Sequence, residues 1–97
     1  MSDFLERQPL GHSGLVSSRL GIGSSFGLPR RIVEHAFERG INYLYWGSIR
    51  RPGFGQAIRH LAKQHRDELI LTVQSYARSP RLIVPSVEIA LRRTGLD

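Results

Sequence analysis

Ile32-Val33-Glu34-His35-Ala36-Phe37-Glu38-Arg39-Gly40-Ile41-Asn42-Tyr43-Leu44-Tyr45-Trp46 decides the reading of this chain, because its hydrophobic period changes at Gly40. Before that residue, Ile32, Val33, Ala36 and Phe37 recur at helical spacing and make one apolar stripe. Pro29 suits the first turn of such a helix, where its missing N–H would have no partner anyway. Gly40 is the residue that helix ends favour, since it takes a positive φ at no steric cost. After it, residues 41–46 are aromatic and apolar and suit a pleated strand. A helix over 29–39 feeding a strand over 41–46 is half of a βαβ unit.

The same alternation continues downstream. The loop 47–53 holds Gly47, Pro52 and Gly53. Phe54, Ala57, Ile58, Leu61 and Ala62 then fall on one helical face, which predicts a helix over 54–65. Gln56, Arg59, His60 and Lys63 make its polar face. The nearly unbroken apolar run 69–73 reads as a strand buried on both sides. A loop over 74–80 precedes a third helix over 82–93, striped by Val87, Ala90 and Leu91 and ended by Thr94-Gly95. Pro85 is compatible with that helix only in its first turn.

Upstream, 18–22 reads as a strand running into Gly21-Ile22-Gly23-Ser24-Ser25, a stretch small enough for close backbone approach. Before it, 7–16 reads as strand, turn, strand, with Gly14 supplying positive φ after His12-Ser13. The order is therefore a hairpin over about 6–17 and three βα units over about 18–97. Alternating strands and helices imply an α/β fold with parallel strands. Three such units make a small sheet with exposed edges, and a (β/α)8 barrel, which needs about 250 residues, would be incomplete in 97; the chain reads as unfinished, as one domain over 1–97.

Composition excludes several classes. The hydrophobic share is 40% and the charged share 23%, both ordinary for a globular chain. No apolar run approaches the roughly 20 residues of a membrane span. The N-terminus is polar and acidic, unlike a secretory leader. Without cysteine there is no disulfide framework, which fits a cytoplasmic setting. The net charge is +6, and every basic residue but Lys63 is arginine. The pairs Arg30-Arg31, Arg50-Arg51 and Arg92-Arg93 are scattered and lack interleaved aromatics, which argues against a nucleic-acid partner. His12, His35, His60 and His65 lack metal-ligand spacing, so no metal site is expected.

Four segments together resemble the aldo-keto reductases. Leu10-Gly11-His12-Ser13-Gly14-Leu15-Val16-Ser17 is similar to the hairpin that plugs the bottom of that family's (β/α)8 (TIM-type) barrel. Leu20-Gly21-Ile22-Gly23-Ser24 is similar to its first strand. Ala36 to Tyr43 resembles the junction A-x-x-x-G-I-N-x, and Ala90 to Asp97 resembles the helix end that leads into strand four. The resemblance implies an NAD(P)H-dependent oxidoreductase, with NADP(H) as cofactor and a small carbonyl compound as partner. In that family the cofactor supplies hydride and the protein supplies a proton.

The residues that would carry this chemistry are replaced. The family's aspartate follows G-I-N-x-x, and that position here is Tyr45. Its tyrosine acid falls on Arg50, and its lysine, at the end of strand three, falls on Gln74. A guanidinium is a poor proton donor, and a carboxamide cannot stabilise a phenolate as a lysine does. No acid lies between Glu38 and Asp67, so a small register shift does not restore the aspartate. No catalytic residue is therefore expected to be retained, leaving Tyr45 and Tyr76 as substitute acids. Gly23, Ser24 and Ser25 are the candidate cofactor-binding residues, and Arg50-Arg51 a candidate anion contact. The expected function is a fragment of a reductase-like oxidoreductase without activity of its own. The alternatives are a non-catalytic barrel that binds a nucleotide or partner, and a small basic nucleic-acid-binding protein.

Overall fold

The computed structural model describes residues 6–47, 51–75 and 77–96. Strands β1 (Arg7–Pro9) and β2 (Val16–Ser18) form an antiparallel hairpin, registered Arg7↔Ser18, Gln8↔Ser17 and Pro9↔Val16. Its turn is closed by Leu10 N–H on the Leu15 carbonyl at 2.9 Å, and the Ser13 hydroxyl donates to the Leu10 carbonyl at 2.6 Å. Gly14 takes φ 83°, and Gly11 does the same at 57°.

The main sheet follows. Strand β3 (Gly21–Gly23) pairs with β4 (Tyr43–Trp46), and β4 pairs with β5 (Ile70–Val73), all parallel, in the order β3-β4-β5. A 3-10 turn at Ser24–Phe26 leads to α1 (Arg30–Glu38), and α2 (Pro52–His65) and α3 (Pro80–Thr94) complete the chain. Alternation along β4 sends Leu44 and Trp46 into the core and Tyr43 and Tyr45 to the other face. On the core side they meet Val33 and Phe37 of α1 and Phe54, Ala57, Ile58 and Leu61 of α2. Each large apolar side chain buried there contributes roughly 1.5–3 kcal/mol.

Local hydrogen bonding trims the predicted elements. β3 begins at Gly21, not at 18, because the Ser18 hydroxyl donates to the Leu20 carbonyl at 2.7 Å and bends the chain. β4 begins at Tyr43, not at 41, because Ile41 N–H closes the end of α1 on the Ala36 carbonyl at 3.1 Å. With Gly40 at φ 113° this is the expected glycine stop. Ile32 does not join the buried stripe of α1; it is 42% exposed. The run 69–73 is not buried on both faces: Leu69 and Ile70 are buried, but Leu71, Thr72 and Val73 are half-buried, since β5 has one neighbour in the sheet.

α3 starts at Pro80, two residues before the expected 82. Ser79 stands at the N-cap position without a side-chain capping bond and Pro80 takes the first helical position, so Pro85 sits in the second turn rather than the first. Its first half carries Leu82, Ile83 and Val84 exposed, while Ala90 and Thr94 are buried. The Arg59 guanidinium donates to the Arg92 carbonyl at 3.1 Å, placing the last turn of α3 beside the middle of α2. Among the described residues no helix is long and apolar enough to cross a membrane.

Candidate functional site

The C-terminal ends of β3, β4 and β5 bring the candidate residues to one edge of the sheet. Gly23 ends β3 and pairs with Tyr45 in register. Tyr45 pairs with Thr72, so Gln74, two residues further on, emerges on the same face as the tyrosine. The Tyr45 hydroxyl donates to the Gln74 side-chain carbonyl. The two positions where the resemblance expects an aspartate and a lysine are therefore in contact. They form a neutral hydrogen bond in place of an ion pair, and the phenol proton is directed at an amide oxygen. Arg50 and Tyr76 lie outside the described residues.

Two glycines shape the surroundings of Tyr45. A Cβ on Gly47 would stand 2.6 Å from the ring Cε1, and a Cβ on Gly23 would stand 3.5 Å from Cδ1. The ring occupies the space those missing side chains leave. Real Cβ contacts are essentially never as short as the first of these, so Gly47 is required for the ring's position.

Ser24 and Ser25 have divided roles. Ser24 is buried, and its hydroxyl oxygen accepts the Gly47 N–H at 3.1 Å, which ties the end of β3 to the end of β4. Ser25 is exposed, and its carbonyl accepts Arg51 Nη2 at 3.1 Å. Arg51 lies across the 3-10 turn, which closes through Gly27 in the left-handed region at φ 69°. The Arg51 carbonyl in turn accepts the Trp46 indole N–H at 3.2 Å. The predicted anion contact thus braces a turn, with one guanidinium donor committed to backbone.

Asn42 is the residue that sequence reasoning undervalued. It is fully buried and joins three segments. Its Oδ1 accepts Ser18 N–H at 2.7 Å, and its Nδ2 donates to the Val16 carbonyl at 2.9 Å and the Glu68 carbonyl at 2.7 Å. Its backbone N–H donates to the Ser18 hydroxyl, and its carbonyl accepts Ile70 N–H at 2.9 Å. The available signal was a carboxamide beside an apolar run, where side chains of poor strand propensity need a reason.

The other polar candidates are dispersed. His60 Nδ1 meets the Glu34 carboxylate between α2 and α1, and Arg30 reaches the same oxygen at 3.4 Å. His65 lies against Phe37, with ring centroids 5.2 Å apart. Lys63 is exposed on α2. Among the described residues no three acidic, histidine or cysteine side chains gather as metal ligands. No protein-family model matches the chain, and no curated protein matches it.

Proposed function

We propose that the hairpin and three βα units are the opening portion of an aldo-keto reductase-like (β/α)8 barrel, and that this portion carries no carbonyl-reducing machinery of its own. The element order supports the reading, as do the three parallel strands in sequence order and a hairpin directly before the first of them. The observation that carries it is the Tyr45–Gln74 hydrogen bond. It joins the two positions at which the resemblance expects a charged pair, and it joins them without charge.

Carbonyl reduction needs hydride from a nicotinamide and a proton for the developing alkoxide. The residues proposed to hold NADP(H) fit it poorly. The Ser24 hydroxyl is buried and accepts Gly47 N–H, the Ser25 carbonyl accepts from Arg51, and the Ser24 carbonyl accepts Gly27 N–H at 3.1 Å. Ser25 is the exposed serine of this turn. A dinucleotide would have to be held by groups elsewhere, and the chain's own contribution to the chemistry is scaffolding.

The test is NADPH oxidation by the purified chain with a reactive aromatic aldehyde. We expect the rate of a no-enzyme control, unchanged in Tyr45→Phe. Turnover above that control and lost in Tyr45→Phe would make Tyr45 a proton donor and sink the reading.

A further inference from the structure

The sheet face opposite the core holds a feature that the Tyr45–Gln74 pairing does not account for. Gly21, Gly23, Tyr43, Tyr45 and Thr72 share that face by register. Both tyrosines are half-buried, and each ring leans toward a glycine of β3. A Cβ on Gly21 would lie 3.3 Å from Tyr43 Cδ1, just as one on Gly23 would lie 3.5 Å from Tyr45 Cδ1. β3 therefore adds no side chain there, and the rings border an open slot. The hairpin supplies the opposite wall. The resulting cavity of about 450 Å³ is lined by both tyrosines, both glycines, Leu10 and Arg19 among others. That volume lies within the range of small-molecule sites, roughly 300–1,000 Å³.

We propose that this slot binds a small planar aromatic ring bearing an anionic group. Flat walls of tyrosine and bare glycine backbone suit an aromatic ring, which gains from offset or edge contacts with other rings. The charge follows from Arg19, the one charged residue among the described residues lining the cavity. Arg19 is exposed and has no hydrogen-bond or ion-pair partner among the described residues. Its planar fork matches a carboxylate or a phosphate oxygen pair. Tyr43 adds polarity: its hydroxyl accepts from Thr72 Oγ1 at 2.9 Å, so its own proton remains available to a ligand oxygen. The proposal concerns the chain as it stands and does not rest on the barrel assignment.

The experiment titrates the chain with 2-naphthoate and with 2-naphthyl phosphate, following ligand fluorescence and the amide NMR signals of Gly21 and Gly23. We expect saturable binding of at least one, with shifts centred on those glycines; which binds more tightly tells carboxylate from phosphate. The uncharged 2-naphthalenemethanol and the non-planar cyclohexanecarboxylate should each bind several-fold more weakly. Arg19→Gln, an exposed change that leaves the sheet intact, should weaken the anion about fivefold and leave the alcohol unchanged. Gly23→Ala has room for its methyl at ordinary contact distance and should weaken every ring ligand. Absence of saturation with both anions overturns the proposal, as does equal affinity for the uncharged or the non-planar compound.

Discussion

Asn42 and Gly55 show how single positions hold this fold. Removing the Asn42 side chain strands two carbonyls and one N–H in a site with no solvent exposure. Each such orphan costs about 1–3 kcal/mol. Asn42→Ala should therefore lower stability by about 3–5 kcal/mol, read as a lower denaturant midpoint. Asn42→Asp should fare no better, since its second oxygen would face the Val16 and Glu68 carbonyls and a charge would be buried. Gly55 offers a change of sign. Alanine for glycine inside a helix usually stabilises by up to about 1 kcal/mol. Here the new methyl would stand 2.7 Å from Trp46 Cζ2, so Gly55→Ala should cost about 1–3 kcal/mol in a thermal melt. Gly53→Ala is the control, because its methyl would meet only Arg30 N, at 3.8 Å. Neither effect was legible in the sequence. The partners lie 24 to 26 residues away from Asn42, and periodicity reports nothing beyond its own element.

Among the elements, α1, α2 and the three parallel strands were readable because each has a clear period and a marked boundary. Gly40 and Gly95 stop their helices, and Pro52 and Pro80 start theirs. α3 starts two residues before the expected 82, at Pro80, which puts Pro85 beyond the first turn. Proline at the sixth helical position leaves the Arg81 carbonyl without its usual N–H partner. Pro85→Ala should restore that bond and stabilise α3 by about 1–3 kcal/mol. The check is amide exchange, with slower exchange expected across 82–88 and little change in α1. Unchanged exchange there would mean that the first half of α3 adapts to the proline without loss. The meeting of Tyr45 and Gln74 depends on the β4–β5 register, which no local period reports. The Ser24–Gly47 tie joins two loops 23 residues apart and has no sequence signature.

For the whole molecule, the open sheet face and the occupied polar groups of the Ser24–Ser25 turn limit what the chain can hold. A dinucleotide should find no complete site, so titration with NADPH should give no saturable micromolar change in cofactor fluorescence. Saturation in that range, lost on Ser25→Ala, would show that the turn binds after all. The carboxamide of Asn42 also bears on how the chain assembles. It joins Val16 and Ser18 to Glu68, so its full set of bonds needs the hairpin, β4 and the entry to β5 all in place. Two loops of about 25 residues must close before that set is complete, and loop closure is an entropic cost met before the contacts return anything. Each β4–β5 pair, such as Tyr43↔Ile70, closes a loop of similar size, but the amide needs two such closures at once. The amide is thus a late fastening in the folding reaction, and Asn42→Ala should speed unfolding many-fold while barely slowing refolding. In stopped-flow kinetics the unfolding limb should rise and the refolding limb stay in place.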